Sequence, residues 1–456
     1  MKDSQINNTI IGGGLTGLTL AYYLKKGGKK VNIIEKSSRV GGVIDTVTQN
    51  GFTFEKGPNT GIIGSSELVE LFDDLKGKVD VEIANSTANN RWIWKDGTWY
   101  SLPSGLISAV STPLFRLKDK FRVLGEPLRK PGINPDETIA ELVKRRLGTS
   151  FLNYAVDPFI SGIYAGDPNT LVTRYALPKL YNLEQTYGSF IRGAFKKRNE
   201  PKTEIEKRVS KEVFSVKGGL NQLIRVLKES IGDENIYLNA TDLKVNKLAK
   251  GFSTSFNNWN NQQVEVVSEN VITTINGDQL HAILPFVSDH LLLPISDLKY
   301  ARVVQVIACF NVWKGAKLNA FGGLIPSIEK RNMLGVLFPS SIFKGRAPEK
   351  GAVLSIFMGG VKKQIIFEKS DEELREIALS EIRDTLKNSD KPDELHIYRY
   401  SRAIPQYDVS SGARFDAIDR IQDQHMGLIL AGNIRDGIGI ADRVKQAKQI
   451  ALSLLT

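Results

Sequence analysis

The feature that most constrains this chain is a glycine turn set between a short apolar strand and a helix near residue 12. Gly12, Gly14 and Gly17 keep the G-x-G-x-x-G spacing, and the apolar run Val31–Ile34 ends at Glu35. In such a βαβ unit the first glycine makes a tight turn, the second lets the backbone approach a pyrophosphate, and the third lets the helix pack on the strand. The helix N-terminus then faces the phosphates, and the acid accepts a hydrogen bond from a ribose hydroxyl. The segment predicts a dinucleotide site in a Rossmann-like unit.

A second glycine-rich stretch follows the acid. Residues 39–46 bring Arg39, a glycine pair that includes Gly42, and Val43, and residues 51–60 bring a further glycine turn. A nicotinamide nucleotide needs no second close approach of the backbone here, whereas a longer cofactor that lies extended across the domain does. The pattern resembles the FAD-binding signature of the flavin amine oxidase superfamily. FAD is therefore the predicted cofactor.

Length and composition set bounds on the class of protein. The 456 residues exceed the usual single-domain range of about 50–250 residues, so several domains are expected. Cys309 is the single cysteine, which excludes an intramolecular disulfide, and its apolar surroundings predict a buried, inert thiol. No export signal and no apolar run of membrane-spanning length is found, which predicts a cytoplasmic protein, at most peripheral on the inner face of the membrane.

The net charge of +11 raises the question of an anionic partner. We find no nucleic-acid-binding module and no basic stripe interleaved with aromatic residues, so nucleic acid is not expected. Anionic lipid headgroups or a carboxylate-bearing substrate explain the charge better. The basic residues concentrate at 116–130 and 192–211, although each run also fits a solvated face balanced by acids.

The predicted architecture is α/β (α+β overall), with a Rossmann-like FAD-binding domain, a sheet-based substrate domain and a helical insertion. Strands are predicted at 303–312 and 352–358, and a capping box at Ser370 and Glu373 starts a helix to about residue 387. Further strands are predicted in the FAD-binding domain at 236–238, 243–248, 264–267, 270–275 and from 427. The FAD-binding domain is predicted to comprise residues 1–60, 213–285 and 425–456. The substrate-binding domain is predicted at 61–100 and 286–424, and a helical domain at 101–212.

The C-terminal segment predicts a strand, a glycine-rich loop and a last helix that opens at Ile440. Such a loop directs backbone amides and the positive helix end toward neighbouring negative charge, which would favour a reduced flavin. An ordinary strand, turn and helix that close the fold would look the same from this segment alone.

No second redox partner is visible in the sequence. A second glycine site and a C-x-x-C pair, which pyridine-nucleotide flavoenzymes of the disulfide reductase kind carry, are both missing, so no NAD(P)H site is expected. The four histidines are scattered without ligand spacing, and no metal is predicted. Because the flavin carries the chemistry, no side chain is assigned as catalytic.

Several segments resemble porphyrinogen oxidases. The run F-I-S-G-I-Y-A-G-D-P at 159–168, together with 91–103, 175–193, 403–407 and 431–439, is similar to motifs of that family, and the likeness covers essentially the whole chain. The resemblance implies an FAD-dependent oxidase of haem biosynthesis. It would convert coproporphyrinogen III or protoporphyrinogen IX, or both, into the porphyrin by successive hydride transfers to flavin N5, with oxygen as the expected electron acceptor.

The resemblance also assigns residues. Arg91 would meet a substrate propionate and Gly162 would lie beside the macrocycle, the alternatives being a surface charge and a simple turn glycine. The helical unit corresponds to the family's membrane-docking region. Arg443 departs from the family, which often has cysteine there, and Ile163 replaces a valine. The residues expected to hold FAD are Gly12, Gly13, Gly14, Leu15, Thr16, Gly17, Glu35, Lys36, Arg39, Gly42, Val43, Gly57, Pro58, Asn59, Thr60, Val245 (through its backbone, on the adenine side), Ile438, Gly439 and Ile440.

Two other functions stay open at this point. One is another FAD oxidase of the superfamily, of the amine oxidase or phytoene desaturase type. The other is a non-catalytic binding protein resembling the GDP dissociation inhibitors, which the intact Glu35 and the motif at Arg39 argue against. The choice between the two porphyrinogens, the final electron acceptor and the oligomeric state are not decided by the sequence, although the positive charge leans weakly toward the tetracarboxylate coproporphyrinogen.

Overall fold

The structure, a computed structural model, describes residues 6–103, 108 and 111–456. Within these residues two seven-stranded sheets form the framework, and two smaller sheets lie between them in the chain. This mixed α/β architecture, with one Rossmann-like sheet and one separate sheet, confirms the predicted fold class.

The first sheet has the strand order β10-β2-β1-β13-β12-β11, with β19 paired to β13. Its strands β10, β2, β1, β13 and β19 run parallel, as a dinucleotide-binding unit requires. The bounds are β1 Ile6–Ile11, β2 Val31–Ile34, β10 Ile236–Tyr237, β11 Thr241–Lys247, β12 Phe252–Asn257, β13 Gln263–Thr273 and β19 Leu428–Leu430.

One strand in this sheet corrects the sequence-based expectation. The runs 264–267 and 270–275 were expected to form two strands, but they belong to the single long strand β13. Its first half pairs antiparallel with β12, and its second half pairs parallel with β1 and β19. A local alternation of apolar residues does not report such a change of partner, and β12 itself was not predicted.

The second sheet has the order β18-β14-β17-β16-β15-β7-β8. The predicted strand at 303–312 is β14, in which Cys309 is fully buried, and burial raises the pKa of its thiol to about 12, which confirms an inert thiol. The bounds are β7 Arg91–Lys95, β8 Thr98–Ser101, β14 Tyr300–Phe310, β15 Gly322–Leu324, β16 Met333–Leu337, β17 Ala352–Gly359 and β18 Glu394–Pro405. The small sheets comprise β3 Asp45–Gln49 with β4 Phe52–Lys56, and β5 Gly61–Ile62 with β9 Val213–Val216 and β6 Val81–Ile83.

Helices cover both faces of the first sheet. One face packs against the helices Leu15–Lys26, Asn221–Ile231 and Ile440–Leu455, and the other against Asp289–Ser296 and Ser411–Gln424. The last two helices fall inside the range 286–424 that the sequence assigns to the substrate domain, yet their apolar side chains share a core with β13 and β19. The domain boundaries themselves stay a prediction.

The remaining helices concentrate between residues 117 and 207. Their longer members are Leu117–Leu124, Ile139–Arg146, Asp157–Tyr164, Pro178–Tyr187 and Phe190–Arg198, and the helices Ser66–Asp74 and Asp371–Leu386 lie outside this stretch. The capping box predicted at Ser370 and Glu373 is present. Much of the apolar run at 102–110, which was expected to be helical, lies outside the described residues. In the ranges that the structure describes, no helix is long and apolar enough to cross a bilayer.

Candidate active site

The glycine turn lies between β1 and the helix Leu15–Lys26. Gly12 has a left-handed φ of +108° and donates its amide to the carbonyl of Ile34 on β2 at 2.9 Å. A Cβ on Gly17 would lie 2.1 Å from the Gly12 carbonyl oxygen, so the helix can meet the strand only at a glycine. A Cβ on Gly14, in contrast, would have no protein atom within 4 Å. Gly14 therefore borders open space, as backbone that a ligand approaches should.

In the described residues, the first-turn amides of the helix that starts at this open space bond to no side chain, since the carboxylate of Glu35 bonds to the Gly13 amide just before the N-cap. Gly14 is the N-cap residue, no side chain accepts from the first-turn amides, and the first turn carries no acidic residue. Free amides at a helix start carry roughly half a positive charge in total, and they form a ready site for phosphate. Leu15 and Thr16, both predicted cofactor contacts, belong to this turn.

The predicted ribose-binding acid lies beside the turn. Glu35 is buried directly after β2, where Oε2 accepts from the Gly13 amide at 2.6 Å and Oε1 accepts from the Ser37 amide at 2.9 Å. A carboxylate offers about four acceptor positions, so two bonds hold the group in place and leave capacity for a hydroxyl. The neighbouring side chain of Lys36 is exposed.

The second glycine loop lies directly on the first. The Gly41 amide donates to the Gly13 carbonyl at 2.7 Å, and a Cβ on Gly42 would lie 3.3 Å from the Cα of Gly14. The sequence predicted that both loops serve one extended ligand, and the fold brings their backbones into contact.

Arg39 holds this second loop from within. Its guanidinium donates to the carbonyls of Val40 at 3.1 Å, Ile44 at 3.0 Å and Gly42 at 2.9 Å, and it lies 3.6 Å from the carboxylate of Asp45. These contacts give Arg39 a part in shaping the loop. Direct contact between its charge and a cofactor phosphate stays a prediction.

A third loop turns at Gly57, and together with the loops at 12–17 and 41–43 it forms the cofactor cradle. Gly57 has a φ of +96°, and its Cβ would lie 2.4 Å from the carbonyl oxygen of Val43. Its amide donates to Oε1 of Gln305 at 2.9 Å. Gln305 is fully buried in β14 and also donates to the Glu55 carbonyl at 3.0 Å and to Ser355 Oγ at 2.9 Å. Sequence reasoning missed Gln305, although a single amide inside the apolar run at 303–310 was the available signal.

Two side chains of these loops are placed to contact a ligand. Asn59, which is 7% exposed, donates to the Gly57 carbonyl at 3.1 Å, but its Oδ1 is buried and accepts no hydrogen bond from the described residues. Leaving a buried polar atom unsatisfied costs about 1–3 kcal/mol. The side chain of Val43 is 57% exposed, although the residue lies where the second and third glycine loops meet. An unpaired acceptor, an uncovered apolar side chain and the open space at Gly14 fit an extended nucleotide with a ring system, which FAD has. Pro58 and Thr60 flank Asn59 in the same loop.

The C-terminal loop reaches the same region. Thr274, after β13, separates the first and last glycine turns, since a Cβ on Gly12 would lie 2.6 Å from its Oγ1 and one on Gly432 would lie 3.1 Å from its backbone. The last helix starts at Ile440 as predicted, and the Gly439 amide is capped by Oδ2 of Asp442 at 3.0 Å.

Val245 takes a position different in kind from the loop residues. It is fully buried in β11, opposite Thr254 of β12, and its side chain belongs to the core that contains Ile11 and Val271. The side chain is therefore structural. A backbone contact with the adenine, as the sequence predicts, stays a prediction.

The two predicted substrate residues lie where β15 pairs with β7 in the second sheet. Gly162 belongs to the helix Asp157–Tyr164, not to a turn, and its Cβ would lie 2.5 Å from Leu324 Cδ2. Leu324 pairs with the third residue of β7, and Gly322 pairs with the first, Arg91. The side chain of Arg91 is exposed, with its guanidinium 5.9 Å from the ring centre of Phe321.

The helix that carries Gly162 is fixed on both sides. Asp157 accepts from the Ser327 amide at 2.7 Å and from its hydroxyl at 3.0 Å, and it pairs with Lys362, which anchors the helix to the second sheet. On the other side, Ile160 and Tyr164 share an apolar cluster with Tyr407 and Ile438. This helix and the loop at Ile438 are thus parts of one packed core, and the exposed side chains of Phe159 and Ile163 give the helix an uncovered apolar face.

In the part of the chain that the structure describes, no group of three histidine, cysteine, aspartate or glutamate residues could hold a metal ion. The chemistry that the arrangement supports is that of a bound redox cofactor. The protein supplies backbone amides, the buried carboxylate of Glu35 and the exposed apolar side chain of Val43.

Comparison with known proteins agrees with this geometry. The family described as flavin containing amine oxidoreductase matches residues 15–444. Protoporphyrinogen oxidase 2 of Arabidopsis thaliana is 29% identical, over 95% of this chain and 91% of the relative. Coproporphyrinogen III oxidase of Bacillus subtilis is 24% identical, over 100% of this chain and 99% of the relative. A crystal structure from Exiguobacterium, of a protein provisionally named protoporphyrinogen oxidase, superposes with a TM-score of 0.80 at 22% identity over 99% of both chains, which shows a shared fold.

Proposed function

We propose that this chain, which belongs to the flavin-containing amine oxidoreductase family and uses FAD, oxidises a porphyrinogen to the porphyrin. Coproporphyrinogen III and protoporphyrinogen IX are the two candidate substrates, and oxygen is the proposed electron acceptor. Relatives named for either activity match nearly the whole length of the chain.

One observation carries the proposal. The helix with Gly162 packs in a single core with Ile438 of the loop before the last helix. On its other side it contacts Leu324 of β15, the strand that pairs with β7, where Arg91 lies. A large macrocycle lying along this helix would therefore be next to the cofactor cradle, with a cation at the far edge for a carboxylate. Phe159 and Ile163 supply an uncovered apolar surface for such a ring.

The roles of the residues follow from their chemistry. When bound, FAD accepts a hydride from the substrate. Glu35 and the helix start at Leu15 would hold its ribose and phosphates, Gly162 would lie beside the macrocycle, and Arg91 would bind a propionate. No side-chain base is assigned, because the flavin carries the chemistry and water can take the proton.

The experiment uses the FAD-loaded protein. Mixed without oxygen with coproporphyrinogen III and, separately, with protoporphyrinogen IX, it should lose its yellow colour. Because one flavin takes up only one of the successive hydrides, porphyrin fluorescence should grow once air reoxidises the flavin. Initial rates side by side then identify the preferred substrate, and admission of air should restore the colour and yield hydrogen peroxide. Bleaching by putrescine but by neither porphyrinogen would contradict the proposal and favour an amine oxidase.

We also propose that the helical stretch contacts an anionic membrane surface from one side. Phe121, Leu124, Leu128 and Phe195 are large apolar side chains, each at least 70% exposed, in a stretch rich in exposed lysine and arginine. Glu126 joins the two elements that carry them, since its carboxylate accepts from the amides and hydroxyl at the start of the helix Phe190–Arg198. Exposed apolar side chains flanked by basic ones are typical of peripheral membrane binding.

Sedimentation with vesicles tests this contact. The protein should sediment with vesicles that contain phosphatidylserine more than with phosphatidylcholine alone, and a variant with Phe121→Asp and Phe195→Asp should stay in the supernatant. Equal sedimentation of parent and variant would contradict the assignment of this surface.

A further inference from the structure

The loop at 433–437, which leads into the last helix, is held by its carbonyl groups from inside the protein. Five consecutive carbonyls lie within hydrogen-bonding distance of only three buried side chains, and the single hydroxyl proton of Tyr407 serves the first or the last of them at any one time. The contacts are Tyr407 Oη to Asn433 O at 3.1 Å and to Gly437 O at 3.3 Å, Arg414 Nε to Ile434 O at 3.0 Å, and Arg443 Nη2 to Arg435 O and to Asp436 O, both at 2.9 Å.

This clamp sets the direction of the loop's amides. In a trans peptide the carbonyl and the amide of one unit point opposite ways. With the carbonyls turned toward the clamp, the amides of the same units point away from it, including that of Ile438, a predicted cofactor contact. Gly437 is the exception, since its amide donates to Tyr407 Oη at 3.2 Å.

Two of the three clamping side chains are buried cations. Arg414 is fully buried and Arg443 nearly so, and each stays protonated at neutral pH. Their hydrogen bonds found in the structure all go to uncharged acceptors, which besides the loop carbonyls are Ser411 Oγ and Gln446 Oε1. Buried charges are usually paired with an opposite charge.

The carboxylates near these cations offset them only in part, because none of the four is buried: Asp408 and Asp442 are half-buried, and Asp419 and Asp436 are exposed. Asp419 and Asp436 pair with Arg435, and their side chains are 57% and 52% exposed, so water screens them. Asp442 is used to cap the amide of Gly439. A buried cation is screened far less, because the surrounding dielectric is low. The two positive charges on the protein side of the loop are therefore less screened by water than the negative charges around them.

We propose that Arg443, backed by Arg414, is a positioning residue that raises the midpoint potential of the bound flavin. Its guanidinium orients the loop amides, and its charge favours the reduced, more negative cofactor over the oxidised one. The inference rests on the FAD site and not on the identity of the substrate. It also gives a role to a residue at which the chain departs from the family that it resembles.

The test compares the flavin potential in variants of the FAD-loaded protein, measured by equilibration with a redox dye, and the affinity of the oxidised flavin for sulfite. A unit charge acting over about 10 Å at an effective dielectric of about 20 changes an equilibrium by roughly tenfold or somewhat more. Arg443→Met should thus weaken sulfite binding about tenfold and lower the potential by about 30 mV. Arg443→Lys keeps the charge, so its sulfite affinity should stay within about threefold of that of the parent.

The matched control is Arg435→Met, which removes the same charge from the same loop, but from a half-buried side chain that Asp419 and Asp436 already pair. It should leave the sulfite affinity within about threefold of the parent, which corresponds to a potential within about 15 mV. Equal shifts in the two methionine variants, or no shift in Arg443→Met, would overturn the proposal.

Should Arg443→Met fail to retain flavin, Arg443→Gln takes its place, because glutamine and lysine can both donate to the loop carbonyls and differ in charge. Sulfite affinities about tenfold apart in these two variants, which correspond to potentials about 30 mV apart, support the proposal. Retention of flavin by the lysine variant alone also supports it. Equal potentials, or loss of flavin from both, show a purely structural role and overturn it.

Discussion

Alanine at Gly14 and alanine at Gly17 should separate cofactor binding from folding. Gly14 has φ −74° and ψ −179°, which any residue adopts, and no protein atom lies within 4 Å of the added methyl group. A glycine-to-alanine change at such a position stabilises a protein by about 0.4–1 kcal/mol, because the unfolded chain loses freedom. The apoprotein with Gly14→Ala should therefore be as stable as the parent or slightly more stable.

The same methyl group fills the space that the pyrophosphate needs. We expect Gly14→Ala to weaken FAD binding at least about tenfold, which corresponds to about 1.4 kcal/mol. At Gly17 the added Cβ would meet the Gly12 carbonyl oxygen at 2.1 Å, and this atom belongs to the backbone and cannot swing away. Gly17→Ala should therefore destabilise the apoprotein by about 1–3 kcal/mol, the usual cost of overpacking.

Two measurements check the pair. Urea unfolding of the apoproteins gives the free energies of unfolding, and quenching of flavin fluorescence during titration gives the FAD dissociation constants. Gly14→Ala with the FAD affinity of the parent would show that the cofactor does not approach this glycine. An apoprotein with Gly14→Ala that loses more than about 1 kcal/mol of stability would refute the reading of open space there.

Three further predictions follow from other parts of the site and fold. Gln305→Met removes a fully buried amide and leaves its hydrogen-bond partners unpaired, so the free energy of unfolding in urea should fall by about 3 kcal/mol. A fall below about 1 kcal/mol would argue against a role of Gln305 in holding the loop at Gly57. Arg91→Gln should raise the KM for the porphyrinogen about tenfold with little change in kcat, as loss of uniform binding does, whereas an unchanged KM would remove Arg91 from the substrate site. Burial alone would raise the pKa of Glu126 and Glu184, but hydrogen bonds and the charge of Arg146 lower both below the unfolded value of about 4.3. Their contribution to stability is therefore complete above that pH and lost as the pH falls through the lower folded values, and Glu184→Gln should flatten the fall of the urea midpoint between about pH 5 and pH 3.

The elements predicted best are those whose signals are local. The turn at Gly12, the strand Val31–Ile34 with Glu35 after it, the capped helix Asp371–Leu386 and the helix start at Ile440 each depend on residues within a few positions of one another. Their geometry follows from backbone conformation and capping, which the sequence states directly.

What could not be predicted depends on partners far away in the chain. Strand β13 alternates apolar residues in the same way whether it pairs with β12 or with β1, so its change of direction relative to its neighbours leaves no local trace. Gln305 contacts Gly57, 248 residues earlier, and only the fold shows that its amide meets a cofactor loop. The helices Asp289–Ser296 and Ser411–Gln424 lie in a stretch assigned to the second sheet, but the apolar side chains that they share with the first sheet decide where they pack.

Arg443 shows how sequence and structure answer different questions about one residue. From the sequence it is a departure from a family pattern at the start of the last helix, which put the details of that start in doubt. The helix nevertheless starts at Ile440, and the arginine side chain turns back to the carbonyls of Arg435 and Asp436. A neutral side chain at this position could not donate to both carbonyls and also add a buried charge. The substitution therefore alters the electrostatics of the loop while leaving the helix in place, and this is the property that the potential of the flavin would report.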